Sequence, residues 1–232
     1  MSALLTTFQT TLSDPGVRLA LRLTAEVALY VLCLQAVAGV LLGYALSRPG
    51  WRGRSLLDIA ITLPLVFPPM ALGFVLLLLM GREGWLGRWW LAAAGEGFVF
   101  TKPAVVLASF IAGLPLVVKP VQAAMETLSA RLAEVARTLG KREWEILLFV
   151  LLPNVRKALL AGLALGLGRS LGEVGITLML GGNIVGRTNT LSLEIFNAVS
   201  GGDFDRAMVL TVLLGLVSAL VFAAMRRAGN PA

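Results

Sequence analysis

Arg169 and Glu173 stand four residues apart inside the otherwise apolar run LLAGLALGLGRSLGEVGITLMLGG. On a helix they share a face, so they can pair with each other or line a polar passage. Catalysis by proton transfer, nucleophilic attack or metal ligation needs other side chains. The chain has no His, and its single Cys, Cys33, sits among apolar residues and leaves no intrachain disulfide to form. Carboxylates do not cluster, and no G-x-x-x-x-G-K-[ST] phosphate loop occurs. A nucleophilic triad, a thiolate or imidazole metal site and ATP hydrolysis by that loop are therefore not expected, and the chain reads as a non-enzyme with metal ligands: none. Gly166, Gly168 and Gly172 imitate a dinucleotide fingerprint only superficially, since no strand precedes them and the last spacing is wrong.

Composition identifies the medium in which those two charges must be held. Hydrophobic residues make up 57% and charged residues 14%, with a mean hydropathy of +0.85, whereas soluble domains carry about a quarter charged residues. The lipid bilayer is the expected surrounding, and 232 residues accommodate five or six spans of about 20 residues each. The expected fold class is an all-α polytopic transmembrane helix bundle forming one domain over residues 1–232. In such a protein a net charge of +7 marks cytoplasmic loops and lipid headgroup contacts, and no nucleic acid partner is expected.

In chain order, residues 1–18 read as an interfacial segment, with Leu4, Leu5, Phe8 and Leu12 on one helical face. Its start lacks basic residues, which argues against a cleaved signal. A first span covers about Leu19–Leu46, with Arg22 and Glu26 at the interface, and Ser47–Ser55 is a basic loop. The second span, about Leu56–Met80, contains Pro64, Pro68 and Pro69. These prolines signal either a broken helix beside a pathway or a kink that fits neighbouring helices. Gly81–Lys102 is expected as a loop whose Trp85, Trp89, Trp90 and Phe98 suit the membrane interface.

A third span, about Pro103–Ala124, bends at Pro115 and Pro120, with Lys119 near enough to its end to snorkel. Arg156 and Lys157 mark the start of a fourth. In it the pairs Gly162/Gly166, Ala164/Gly168 and Gly168/Gly172 permit close helix contact. Arg169, Ser170 and Glu173 then read as pathway or gate positions, or as a buried pair that sets helix register. Gly181–Asp205 is expected as a loop, and Arg206–Met225 as the last span.

Between the third and fourth spans lies a charged island, residues 126–153, containing EVARTLGKREWEILLFVLLP. Leu128, Leu132, Val135, Ala136 and Leu139 recur at helical spacing, with Arg131, Glu134 and Arg137 opposite. Gly140 suits a helix C-cap. A second segment begins with Lys141, Arg142, Glu143 and Trp144, and Pro153 is expected to break it.

Glu134, Ala136, Gly140, Val150, Leu152 and Pro153 match the pattern E-x-A, three residues, G, nine residues, aliphatic-x-L-P. This pattern resembles the EAA loop of ATP-binding-cassette importer permeases, with Val135 departing mildly from the usual Ala. Arg169–Ile195, RSLGEVGITLMLGGNIVGRTNTLSLEI, and Leu63–Gly87, LPLVFPPMALGFVLLLLMGREGWLG, are similar to molybdate-type members of that family. Sulfate and tungstate permeases share parts of both stretches.

The resemblance implies a type I importer permease of the prokaryotic inner membrane. It would be a homodimer with two ATPase subunits on the cytoplasmic face and an extracytoplasmic oxyanion-binding protein. ATP and Mg would be bound by the ATPase, and this chain would hold no cofactor. Glu134, Ala136, Gly140, Lys141, Arg142, Glu143, Trp144 and Pro153 would form the ATPase-coupling loop. Arg169, Ser170 and Glu173, with Pro64, Pro68 and Pro69, would lie at the pathway or gate, and Asn183 and Arg187 on the outer face. Basic residues are more numerous on the side of the charged loop, which places the N-terminus outside and the C-terminus in the cytoplasm. Molybdate is the expected cargo, with tungstate, sulfate, thiosulfate or another oxyanion as alternatives. A self-sufficient carrier or channel, or a purely structural subunit, would not need the regular loop.

Overall fold

Apolar segments in a bilayer have no water to bond their amides, so each must satisfy its own backbone, and helices result. The computed structural model describes the backbone of residues 2–127 and 130–229, with side chains for 8–127, 131–225 and 227. In chain order the helices are α1 (Ser2–Ser13), α2 (Pro15–Ser47), α3 (Arg54–Val66), α4 (Pro69–Met80), α5 (Trp85–Ala94) and α6 (Lys102–Thr127). They continue with α7 (Ala130–Thr138), α8 (Glu143–Leu171), α9 (Gly175–Gly181), α10 (Leu191–Ser200) and α11 (Phe204–Gly229). Among the described residues α2, α6, α8 and α11 are each long and apolar enough to cross a membrane.

The apolar stretch after α2 is built from short pieces. The expected span Leu56–Met80 is divided at Phe67 and Pro68, because two consecutive prolines remove two amide donors and Pro68 adopts an extended backbone. Pro69 then opens α4, where a missing N–H costs nothing, while Pro64 stays inside α3. The start of α3 lies beside the end of α6, through Arg54 and Glu126 at 2.8 Å. Leu77 and Leu78 of α4 share a cavity with Phe100 and Thr101, just before the start of α6. The two pieces together therefore run the height of the bundle. α5, within the segment expected as a loop, follows α4 across a bend of 54°, and the two together are apolar enough for a broken span or a re-entrant loop. Its Trp85 and Trp89 are exposed, while Trp90 packs edge-on against Phe98 at 5.1 Å.

At the centre, α2, α6 and α8 approach one another at glycines. A Cβ on Gly39 would lie 2.5 Å from Val117 Cγ1, one on Gly43 would lie 2.7 Å from Val121 Cγ1, and one on Gly113 would lie 2.2 Å from the Gly166 carbonyl oxygen. Gly162 and Gly166 make the close contact expected of them, both against Val117. Gly168 does not: nothing lies within 4 Å of its Cβ position, although Ala164, expected to pair with it, is buried. Rotation of α8 decides which small residues face a neighbour.

Pro153 does not end a helix. α8 is continuous from Glu143 to Leu171 because a π-helical turn, Ile146–Leu151, precedes the proline. Its wider i to i+5 bonding, with the Leu152 amide donating to the Leu147 carbonyl, changes the register ahead of the residue that cannot donate. Asn154 Nδ2 donates to the Val150 carbonyl at 2.7 Å and occupies an acceptor there. The helix therefore begins well before Arg156 and Lys157.

The expected loop Gly181–Asp205 contains α10, too short to cross, whose N-terminal end enters the bundle. Thr24 Oγ1 of α2 accepts from the Leu191 amide at 2.9 Å, Ser192 Oγ donates to the Leu171 carbonyl, and Leu191 and Leu193 are fully buried. Arg206 fastens this end, reaching Asp14 at 2.7 Å and Glu194 at 3.4 Å. In α1, Thr11 is buried and Phe8 is exposed. Leu4, Leu5 and Leu128, expected on apolar faces, lie outside the described side chains.

Candidate coupling loop and polar positions

The loop after α6 is shaped by two local devices. α7 ends with Gly140 at φ +75°, the Gly140 amide donating to the Arg137 carbonyl at 2.9 Å and the Lys141 amide to the Ala136 carbonyl at 3.1 Å. This is a Schellman closure, which needs a left-handed residue and so favours glycine. The next helix starts with Glu145 Oε2 accepting from the Arg142 amide at 2.8 Å, and Lys141 Nζ stands 3.4 Å from Glu145 Oε1.

The inner face of α7 is narrower than its spacing suggests. Ala133 and Ala136 pack against Val121, Met125, Ile146, Leu151 and Val155. Leu132, Val135 and Leu139, expected on the same buried stripe, point outward, with Leu139 75% exposed. Small alanines let α7 lie close to α6 and α8, which rotates the larger apolar residues to the surface. Trp144 and Phe149, also exposed, meet edge-on at 6.3 Å. An apolar ridge therefore projects from the end of the bundle, and Pro153 is exposed beyond it.

Glu134 faces a cleft of about 500 Å³ shared with Arg48, Arg54, Glu126 and Arg137. Beside it, Glu143 accepts from Arg137 Nε at 2.9 Å, from Tyr44 Oη at 2.6 Å and from Arg48. The Glu143 carboxylate raises the affinity of the Arg137 guanidinium for its proton above the usual value. Tyr44 in α2 and Arg48, the residue that caps it, were not legible as loop partners.

Deeper in the bundle, Arg169 and Glu173 pair at 2.6 Å. The pair forms although Arg precedes Glu, because Glu173 lies beyond the end of α8. There its carboxylate also accepts from the Ile176 amide of α9 at 2.8 Å. Glu173 is buried while a third of the Arg169 side chain is open, at 32%. Ser170 instead turns inward: its hydroxyl lies 2.6 Å from the Ser109 carbonyl and accepts from Gln35 Nε2 at 3.0 Å. It joins three helices and borders a small cavity that Thr24, Ser109, Glu173 and Thr190 also line. Gln35, fully buried in α2, was missed, although an amide inside an apolar run was the available signal. Lys119 pairs with Asp58 of α3.

At the end opposite the loop, Asn183 takes a left-handed backbone, φ +52°, and bonds Asn197 of α10 at 2.6 Å. Arg187 is exposed and lines a cavity of about 920 Å³ with Arg82, Glu83, Glu96 and Thr101. Pro64 lies inside α3 and Pro68 and Pro69 at the α3–α4 break, where Pro69 packs against Gly175, two residues beyond Glu173.

Residues 35–230 match the family model described as binding-protein-dependent transport system inner membrane component. The chain belongs to this family. It is 32% identical over 206 residues to the molybdenum transport system permease protein ModB of Haemophilus influenzae, covering 87% of this chain and 90% of that one. The sulfate transport system permease protein CysW of Synechocystis is 34% identical over 206 residues, covering 87% of this chain and 74% of its own. A solved bacterial ABC transporter involved in the import of the acidic polysaccharide alginate superposes with a TM-score of 0.78 at 16% identity, over 97% of this chain and 82% of that chain. The all-α permease fold read from the sequence is thus the fold observed. As an importer permease the chain is a transport subunit in the membrane, and its relatives are permeases rather than enzymes.

Proposed function

We propose that this chain forms the translocation pathway of a molybdate importer and is driven by a separate ATPase that docks on α7. The observation that carries the reading is length. The chain spans 90% of the Haemophilus influenzae ModB and 93% of the Escherichia coli ModB, but 74% of CysW and 76% of the Escherichia coli CysT. Sulfate remains the second reading because those permeases are equally similar in sequence, at 34% and 33% identity.

In this reading two copies of the chain pair, two ATPase subunits bind ATP and Mg on the cytoplasmic face, and an oxyanion-binding protein delivers cargo to the outer face. The exposed ridge Leu132, Val135, Leu139 and Trp144 supplies apolar docking area, and Glu134, Lys141 and Arg142 supply its charged surround. Ala136 and Gly140 set its shape. Nucleotide-driven closure of the ATPases moves α7, and the spans switch from inward-open to outward-open. Arg169 offers a partly open cation for an anionic cargo, held in place by Glu173. Arg187 and Asn183 belong to the outer face, which puts the N-terminus outside and the C-terminus in the cytoplasm of a prokaryotic inner membrane.

The test is uptake of radiolabelled molybdate, tungstate and sulfate in proteoliposomes holding the chain, its candidate ATPase and its binding protein. The expected result is ATP-dependent uptake that molybdate competes for best and that Gly140→Trp abolishes. Uptake without the ATPase, driven by an ion gradient, would overturn the reading in favour of a self-sufficient carrier. Preference for sulfate would replace the cargo alone.

A further inference from the structure

We propose that Glu143 is a positioning residue that fastens the coupling loop to the end of α2, so that α2 and α7 move as one body. This rests on the permease reading above and adds the route by which loop motion reaches the first spanning helix. Glu143 touches neither cargo nor nucleotide.

The loop is held to the bundle in two different ways. Toward α6 and α8 the contact is apolar, through Ala133 and Ala136 against Val121, Met125, Ile146, Leu151 and Val155. Toward α2 the apolar contribution is marginal, since only Val40 and Tyr44 pack against that cluster and both are partly buried. The polar joint at Glu143 supplies the rest. One carboxylate takes Arg137 from α7 on one side and, on the other, Tyr44 of α2 and its C-cap residue Arg48, bridging residues 99 and 95 positions apart. Charge-assisted bonds of this kind are directional as well as strong, so they fix the angle between the two helices.

Arg48 also lies over the Tyr44 ring, 4.6 Å from its centroid, so the α2 side of the joint is itself ordered. Two guanidinium groups share one carboxylate. An amide in its place turns one of the two acceptor oxygens into a donor, so it cannot hold Arg137 on one oxygen and Tyr44 with Arg48 on the other, and it leaves both guanidinium groups without the anion between them. Immediately beyond Glu143 and Glu145 comes the π-helical turn Ile146–Leu151. A π turn interrupts regular bonding, so the span of α8 is less stiffly connected to the loop than the spacing of three residues suggests. Motion imposed on α7 therefore passes to α2 through the Glu143 joint, while the π turn lets α8 adjust.

The test uses the assembled complex in proteoliposomes, in a Cys33→Ala background that removes the chain's one cysteine. Spin labels go at Arg52, just past α2, and at Thr138, at the end of α7, both exposed. With Glu143 intact, ATP is expected to change their separation by less than about 2 Å, the scale of a small helix shift. In Glu143→Gln the separation is expected to change by more than that on ATP binding. Anion uptake per ATP hydrolysed is expected to fall about fivefold, the factor for about 1 kcal/mol from a half-exposed ionic joint. Tyr44→Phe combined with Arg48→Gln strips the α2 side alone and should reproduce both effects, which covers the case in which Glu143→Gln fails to assemble. An ATP-driven change as large with Glu143 as without it, or an unaltered uptake-to-hydrolysis ratio in both variants, would overturn the inference. Absence of ATP-dependent uptake in the unaltered complex would instead overturn the permease reading.

Discussion

Gly113→Ala tests whether the contact of α6 with α2 and α8 is as close as the structure shows. A Cβ at Gly113 would lie 2.2 Å from the Gly166 carbonyl oxygen, 2.4 Å from Gln35 Nε2 and 2.4 Å from Ser170 Oγ. The first of these is backbone of a long helix and cannot swing away. Restoring ordinary contact requires α6 and α8 to separate by about 1 Å, which costs on the order of 2 kcal/mol as overpacking. The same separation strains the Ser170 bonds to Ser109 and Gln35, for about 1 kcal/mol more. Alanine returns about 1 kcal/mol of helix propensity, leaving a net loss of about 2 kcal/mol. For a chain of this size that lowers Tm by about 4–8 °C.

Gly168→Ala is the matched control. It lies on α8 with nothing within 4 Å of its Cβ position, so the propensity gain stands alone and Tm should hold or rise by about 2–4 °C. Both are read from tryptophan fluorescence during heating of the purified chain in detergent, using the five native tryptophans. A Gly113→Ala protein at or above the parent Tm would refute the packing argument, as would two alanine variants that shift together.

Gly140→Ala places a Cβ at φ +75° and should cost about 1 kcal/mol by strain rather than by crowding. Hydrogen exchange should accelerate at the Lys141 amide, which caps α7, and stay slow in α6. Glu173→Ala strands Arg169 and the Ile176 amide together, an expected loss of about 2–4 kcal/mol, visible as reduced abundance in the membrane. Abundance equal to the parent would show that the pair is dispensable. A double-mutant cycle on Arg54 and Glu126, each about a third exposed (37%), should return no more than about 1 kcal/mol and shrink in high salt. A coupling twice that size would mean the cleft is drier than it looks.

Much of the site was readable because its devices are local. Gly140 at the end of α7, the Arg169–Glu173 spacing and the E-x-A run all act within four or five residues, a distance over which helical geometry is set by spacing alone. The approximate extents of α2, α6 and α11 were readable for the same reason: apolar residues in bilayer must form helices long enough to cross. Pro153 misled because a proline signals a missing donor but not how the preceding turn absorbs it, and here a π turn did so. The outward rotation of Leu132, Val135 and Leu139 was hidden because periodicity defines a stripe without saying which of two adjacent stripes meets a neighbour. Alanine at 133 and 136 won through closeness of approach, a property of α6 and α8 as much as of α7.

The sequence by itself determined the medium, the helical class, the caps and the presence of a charged loop between spans, since each follows from composition or from neighbours along one helix. Tertiary structure alone decided that Glu143 meets Tyr44 and Arg48, that Lys119 meets Asp58, and that Gly113 rather than Gly168 sits at a crossing. Those choices depend on how far each helix is rotated and shifted against the others, and that is set by packing summed over the whole bundle rather than by any one segment.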